Sequence, residues 1–140
     1  MAIYFHTEEI HFEPAQPQRI KAWIRKIISH AQKEVGELNI IFTSNSFLLK
    51  MNQQYLKHNY FTDVITFNYN RGEVVSGDIF ISIDQVKVNS KEISVNFADE
   101  LYRVIIHGVL HLLGYDDKDK AQQMEMREKE DEMLALFKSM

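Results

Sequence analysis

Residues 107–117 read His-Gly-Val-Leu-His-Leu-Leu-Gly-Tyr-Asp-Asp, and this stretch contains the most informative motif of the chain. His107 and His111 are four residues apart, so on a helix the two imidazoles project from the same face and can reach a single ion. Gly114 comes where the helix must stop, because glycine adopts the left-handed conformation that reverses the chain. The stretch therefore predicts the end of a helix that carries two candidate metal ligands.

Two acids follow the predicted bend. Asp116 and Asp117 lie where the returning chain can bring a carboxylate back to the imidazoles, which gives the pattern H-x3-H-x2-G-x2-D. Three protein ligands with a fourth position left to water are typical of a catalytic zinc site. The residues alone leave open which acid faces the ion. They also allow a purely structural interpretation, in which the histidines are ordinary helix residues and the acids cap the next helix. Asp119 is the better candidate for such a cap.

The predicted helix carries no general base. Helical zinc peptidases have a glutamate directly after the first histidine, whereas this chain has Gly108. The site must therefore rely on the ion to lower the pKa of water, or on a base from elsewhere. Glu100 lies two turns before His107 on the same face, where it can either orient His107 or pair with Arg103. We favour the pairing with Arg103.

Hydrophobic periodicity predicts helices and strands interspersed around this stretch. We expect one or two strands at 3–12, single strands at 38–43, 63–67 and 77–82, and helices at 17–36, 48–55, 97–113 and 120–137. Pro17 begins the first helix and Gly36 ends it, while Ser44 or Ser46 caps the second. The alternation predicts a single α+β domain over residues 1–140, in which a small mixed sheet packs in layers against helices, one of them a zincin-like metal-binding helix.

Composition limits the class of protein. The 140 residues are 45% hydrophobic and 26% charged, which is typical of a globular domain. Cysteine is absent, so any metal ligands must be histidines or acids. We find no signal peptide and no membrane span, and we expect a cytoplasmic protein.

The net charge of −4 does not support bulk nucleic-acid binding. One helix is basic, which indicates either a solvated face or a patch for an anionic partner; its cations are Arg19, Lys21, Arg25, Lys26 and Lys33.

At this point the sequence resembles the YbeY family of bacterial metal-dependent endoribonucleases and ribosomal RNA maturation factors. The family signature H-G-x-L-H-L-x-G-Y-D-H matches residues 107–116 at every defined position. Two upstream blocks follow in the expected order: T-D-V-I-T-F at 62–67 is similar to the family's T-D-V-L-S-F strand, and G-D-I-F-I-S at 77–82 is similar to its G-D-I-x-I-S strand. The resemblance covers nearly the whole chain.

The resemblance implies one zinc ion per chain, held by His107, His111 and Asp117. The family usually has histidine at the third position, so the aspartate lowers the positive charge of the site and implies an altered metal preference without loss of the site. Asp116 matches the family's aspartate and is expected to shape the turn. The implied substrate is single-stranded ribosomal RNA at the small ribosomal subunit, in maturation of the 3′ end of the small-subunit rRNA and in ribosome quality control, in the cytoplasm.

A second departure lies after the predicted second helix, where the segment reads Tyr55-Leu56-Lys57-His58. The family generally has arginine where this chain has Leu56 and lysine where it has His58. An arginine near a metal grips phosphate with two hydrogen bonds, which leucine cannot do. Lys57 can substitute as a point charge, and His58 can bind phosphate when protonated or donate a proton. Alternatively, both are ordinary exposed loop residues.

Three functional hypotheses remain open from the sequence. The leading one is zinc-dependent cleavage of single-stranded RNA, with Lys57 and His58 assisting the three ligands. A metal-dependent hydrolase of another class, such as a peptidase, has similar ligand spacing, although Gly108 argues against it. The third is a ribosome-assembly binding protein whose metal only ties the helix to its returning loop.

Overall fold

The computed structural model describes residues 2–57 and 62–140. In these residues four strands form one sheet, and five helices pack around it. The elements in chain order are β1 (Ala2–Glu8), α1 (Pro17–His30), β2 (Glu34–Thr43), α2 (Asn45–Tyr55), β3 (Val64–Asn68), β4 (Val74–Ser82), α3 (Ile83–Glu92), α4 (Phe97–Leu112) and α5 (Lys120–Ser139).

The sheet is mixed, as the alternation of strands and helices predicts. Its strand order is β1-β2-β4-β3. The first three strands of that order are parallel, and β3 pairs antiparallel with β4 as an edge strand. The alternate residues Leu38, Ile40, Ile79 and Ile81 are all fully buried, because period-two alternation turns them to one face of the sheet. The sheet thereby presents an apolar face to the helices.

Helices cover both faces, and the larger core lies under α1, α4 and α5. Trp23 of α1 is fully buried and donates a hydrogen bond from Nε1 to the backbone oxygen of Met133 in α5, at 2.9 Å. On the opposite face, α2 packs Phe47 against Phe80 of β4. The α+β class and the layered packing predicted from the sequence are confirmed.

The predicted end of the first helix at Gly36 is wrong. The helix ends at His30, and Gln32 takes a positive φ of 61° before β2 begins. Gly36 lies inside β2, where a Cβ atom would collide with the hydroxyl of Ser76 and the side chain of Val74. The glycine therefore serves a close approach between two strands rather than a helix terminus.

Helix α3 was not predicted from the sequence. This helix follows β4 directly, with Ser82 as its N-cap accepting a hydrogen bond from the backbone of Gln85 at 3.1 Å. Its apolar stripe is short, since only Ile83 and Val86 among its apolar residues are buried, which explains the weak periodicity. The helices at 97–112 and 120–139 agree with the predictions, and Ser44, not Ser46, caps α2.

Candidate metal centre

The two histidines lie on the last turns of α4. The cap residue Asn96 starts this helix by accepting a hydrogen bond from the backbone of Asp99 at 2.8 Å. At the other end Gly114 has a φ of 101°, and the next residue donates its backbone N–H to the oxygen of Leu110 at 3.0 Å. This glycine reversal turns the chain back towards the helix face that carries His107 and His111. Their Nε2 atoms are 3.0 Å apart.

The returning loop brings Asp117, not Asp116, to the histidines. Asp117 Oδ2 lies 3.3 Å from Nε2 of His107 and 3.7 Å from Nε2 of His111. Asp116 instead shapes the turn, because its Oδ1 accepts the backbone N–H of Asp117 at 3.0 Å. Asp119 caps α5 as expected, accepting from the backbone of Gln122 at 2.8 Å.

These three residues fit a small divalent cation. Each offers a ligand atom, and the three atoms lie within 4.8 Å of one another. A tetrahedral zinc ion with ligands about 2.0 to 2.1 Å away holds its ligand atoms about 3.3 to 3.4 Å apart, and the observed separations of 3.0, 3.3 and 3.7 Å bracket that spacing. Two nitrogens and one oxygen are also an acceptable zinc donor set. The group can therefore hold a metal ion with a position left open.

Glu130 of α5 fixes the orientation of His107. Its Oε2 is 2.6 Å from Nδ1 of His107, and its Oε1 accepts a hydrogen bond from Arg103 at 2.9 Å. A carboxylate on one ring nitrogen directs the lone pair of the other nitrogen towards the ion and raises its basicity. Glu130 therefore positions His107 through a hydrogen bond and is not itself one of the three candidate ligands.

The contact between Glu130 and His107 shifts the pKa values of both residues. Burial lowers the pKa of His107, but the hydrogen bond and the charge of Glu130 outweigh it, so the pKa lies above its ordinary value. Burial raises the pKa of Glu130, but hydrogen bonds from His107 and Arg103 outweigh it, so that pKa lies below its ordinary value. Because a proton on His107 competes with a metal ion, the site binds metal less tightly as the pH falls.

Glu130 was not predicted as a site residue, and the predicted pairing of Glu100 with Arg103 is wrong. Arg103 pairs with Glu130 and Asp131 rather than with Glu100, and it is Glu130 that holds His107. A signal for Glu130 was present: it falls between Met126 and Met133, on the face of α5 that is buried. An acid on an apolar face requires a partner in the interior.

Glu100 is a buried acid without a full set of partners. Its side chain is 6% exposed, and its Oε1 has no hydrogen-bond partner among the described residues. Burial first, and then the charge of Asp63, raise the pKa of Glu100. This residue therefore favours its neutral form more than an exposed glutamate does.

Gly108 turns away from the ligands and faces the sheet. A Cβ atom at this position would lie 2.7 Å from Cγ2 of Ile79 and 3.3 Å from the hydroxyl of Thr66. The glycine lets α4 approach β3 and β4 closely, so the absence of a glutamate here has a packing reason. A longer side chain at 108 would run into the sheet rather than into the site.

Two adjoining clefts, of about 320 and 360 Å³, open beside the three candidate ligands. Leu56, which occupies the family's arginine position, lines the larger one. Lys57 follows α2 with an exposed side chain and is not among the lining residues of either cleft. His58 lies outside the described residues. The structure thus brings together His107, His111 and Asp117, and the roles of Lys57 and His58 stay predictions.

Within residues 2–57 and 62–140, no helix is both long and apolar enough to cross a bilayer.

Comparison with known proteins identifies the family. A sequence model of the family described as endoribonuclease YbeY matches residues 3–138. The chain is 47% identical to the endoribonuclease YbeY of Flavobacterium psychrophilum over 129 residues, which cover 92% of each chain. It is 40% identical to that of Bacteroides thetaiotaomicron over 136 residues, covering 97% of this chain and 99% of the relative.

A solved structure agrees with the sequence comparison. The solution structure of TM1509 from Thermotoga maritima superimposes with a TM-score of 0.69 at 28% identity, covering 97% of this chain and 89% of that one. The family match spans nearly the whole sequence and includes all three candidate ligands. The chain therefore belongs to the endoribonuclease YbeY family.

Proposed function

We propose that this chain is a zinc-dependent endoribonuclease that hydrolyses phosphodiester bonds of single-stranded RNA. The observation that carries the proposal is the convergence of His107, His111 and Asp117 beside two open clefts. The relatives carry the name endoribonuclease, which supports RNA as the substrate class. One zinc ion per chain would be held by the two Nε2 atoms and Oδ2 of the aspartate.

Each residue of the centre has a distinct task. When bound, the ion supplies a Lewis acid that polarises a phosphate oxygen and lowers the pKa of water. His107 and His111 offer neutral imidazoles from a rigid helix, and Glu130 keeps the proton of His107 on Nδ1. Asp117 closes the set from the loop after Gly114. The clefts on either side leave room for the RNA strand that enters and leaves the centre.

The carboxylate at position 117 distinguishes this centre from one built on three imidazoles. A carboxylate carries a negative charge, so the net positive charge of the loaded site is lower. We therefore expect a different order of metal preference from that of a centre with a third histidine, with the site itself retained.

Lys57 and His58 are proposed to assist from the segment that follows α2. Leu56, directly before Lys57, lines the larger cleft, which supports the proposed contact of Lys57 with the RNA. Lys57 would contact a phosphate as a point charge, and His58 would bind phosphate or donate a proton.

The cellular substrate is proposed to be ribosomal RNA at the small ribosomal subunit, in maturation of the 3′ end of its rRNA and in ribosome quality control. These processes place the protein in the cytoplasm. The net charge of −4 does not favour RNA in bulk, so recognition is expected to depend on the centre and on local cations rather than on overall charge.

The experiment compares the wild type with His111→Ala and with His30→Ala, which removes an exposed histidine at the end of α1. Zinc content and cleavage are measured on single-stranded RNA and on a duplex of the same sequence. We expect one zinc per wild-type chain and cleavage of the single strand alone. His111→Ala should lose both zinc and cleavage. The decrease in zinc affinity and in activity should exceed the roughly 10–100-fold that follows loss of a residue hydrogen-bonded to a metal ligand. His30→Ala should keep both zinc and cleavage.

Equal zinc and equal cleavage in the wild type and His111→Ala would contradict the proposal. Association with the small subunit by a zinc-loaded chain that cleaves no RNA would instead indicate a binding protein with a structural metal. Degradation of an unstructured protein such as casein would indicate a peptidase.

A further inference from the structure

The two clefts beside the candidate metal centre meet at a small set of residues. Four residues line both of them: Asp63, Val64, His107 and Asp117. Two of these are candidate ligands, and Val64 has an apolar side chain. Asp63 is therefore the carboxylate, besides Asp117, that faces both halves of the space through which a strand would cross the centre.

Hydrogen bonds hold Asp63 in place, and two hydrogen bonds leave further lone pairs on its carboxylate for a proton. Its Oδ2 accepts a hydrogen bond from Nδ2 of Asn89 at 3.1 Å, and its backbone oxygen accepts from the backbone of Ser82 at 2.9 Å. The backbone N–H of Asp63 itself also donates to this carboxylate. It also forms no ion pair within 4.0 Å with His107, so it stands beside the centre without joining it.

The other acids near the centre are occupied or inaccessible. Glu130 is 5% exposed and binds both His107 and Arg103. Glu100 is buried and lines only the smaller of these two clefts. The helix itself offers no base, because Gly108 faces the sheet. Asp63 remains as the carboxylate with the required access.

We propose that Asp63 is the general base of RNA hydrolysis in this chain, an inference that rests on the proposed function. The oxygen of a water molecule forms a bond to phosphorus, and the proton of that water moves to the Asp63 carboxylate. The bond from phosphorus to the departing ribose oxygen breaks, and that oxygen takes the proton from Asp63. The carboxylate is thereby restored, and atoms and charges balance.

The environment of Asp63 suits proton transfer. Burial raises its pKa, and the charge of Glu130 adds to this, while His107, its own backbone and the amide of Asn89 act in the opposite direction; the pKa lies above its ordinary value. A base works best when its pKa lies nearer the working pH. The charged or titratable groups that line the clefts with Asp63, from α4, α5 and the loop between them, are Glu100, Arg103, His107, His111, Asp117, Arg127 and Glu130.

The test uses Asp63→Asn, which keeps the shape of the side chain and an oxygen that can accept from Asn89. The matched control is Asp78→Asn. Asp78 is likewise a half-buried acid held by an asparagine, since Nδ2 of Asn39 donates to its Oδ1 at 3.1 Å, but it lines neither cleft. We expect Asp63→Asn to lower kcat by about 10²- to 10⁴-fold. Its zinc affinity, RNA affinity and KM should stay within about twofold of the wild type, and Asp78→Asn should cleave normally.

The pH profile separates a base from a residue that only positions others. With zinc in enough excess to keep the site loaded at every pH, the wild-type rate should fall with a slope of one proton as Asp63 is protonated at low pH, and Asp63→Asn should lack that limb. Cleavage at the wild-type rate, a retained acid limb, or loss of zinc or RNA binding in Asp63→Asn would each overturn the inference. If the zinc-loaded wild type itself cleaved no RNA, the proposed function would fail and the inference with it. If the wild type and Asp63→Asn both cleaved RNA at the same rate, only the inference about Asp63 would fail.

Discussion

Two adjacent aspartates show how strongly the role of an acid depends on where its side chain points. Asp116 and Asp117 have the same side chain and neighbouring positions, yet only Asp117 points at the two imidazoles. Asp116 accepts the next backbone N–H and lies near Lys118, with 3.6 Å between Oδ2 and Nζ. The difference follows from the reversal at Gly114, which decides the side of the loop that each residue occupies.

This difference predicts effects of unequal size for two alanine substitutions. Asp117→Ala removes the proposed carboxylate ligand, so its zinc dissociation constant should rise by more than about 10-fold. Asp116→Ala removes one exposed turn hydrogen bond, so its zinc dissociation constant should rise by much less than that of Asp117→Ala. Competition with a chromophoric chelator measures both constants. Loss of zinc in Asp116→Ala together with retention in Asp117→Ala would contradict the assignment of the ligand.

At the scale of elements, the centre is built where α4, α5 and the loop between them meet. Arg103 and His107 of α4 both bind Glu130 of α5, so packing of the two helices and orientation of the ligand depend on one carboxylate. Gly108 sets the depth of α4 against β3 and β4 in the same region. A change in α5 should therefore alter the centre without touching a ligand.

Glu130→Gln tests this dependence. The amide keeps the size of the side chain but removes the charge that raises the basicity of His107, so zinc affinity should fall by about 10- to 100-fold. Glu128→Gln, which changes an exposed acid on the same helix, is the control and should bind zinc as the wild type does. Chelator competition at fixed pH provides the measurement, and equal affinities in the two variants would show that Glu130 has no role at the centre.

At the scale of the whole molecule, folding places carboxyl groups from distant parts of the chain beside the centre. Asp63 precedes β3 and Glu100 belongs to α4, and burial raises the pKa of both. A raised carboxyl pKa means that the folded state holds the proton more tightly than the unfolded state. Such a group contributes stability that is present below its unfolded pKa and is lost as the pH rises through its folded pKa.

Glu100→Gln should remove the part of this loss of stability at higher pH that comes from Glu100. In metal-free protein, the variant should gain free energy of unfolding relative to the wild type as the pH rises above about 4.5, where unfolded glutamate ionises. The gain at neutral pH should be on the order of 1 kcal/mol, because an ionised acid with an unsatisfied buried oxygen is replaced by a neutral group. Urea denaturation at pH 4.5 and 7.5 measures it.

Glu92→Gln, at the exposed end of α3, controls for the loss of one negative charge. A stability difference for Glu100→Gln that did not grow with pH beyond that of this control would contradict the prediction.

Local sequence determined the part of the centre that depends on helix geometry and on a short bend. His107 and His111 are neighbours on any helix, and Gly114 returns the chain within three residues, so spacing alone predicted the two histidines and an acid at 116 or 117, while the resemblance to the family favoured Asp117. The signature of residues 107–117 and the two strand blocks also indicated the family. These features need no knowledge of distant contacts, because the covalent chain itself keeps the groups close together.

Only the tertiary structure decided which residues support those ligands. Glu130 lies 23 residues from His107 in the chain and Asn89 lies 26 from Asp63, so no local spacing relates them. The same holds for Gly36 and Gly108, whose lack of a side chain is required by atoms of other strands. Packing of helices against the sheet sets these contacts, and the burial that results, rather than residue type, determines which carboxyl groups orient a ligand and which are available to take a proton.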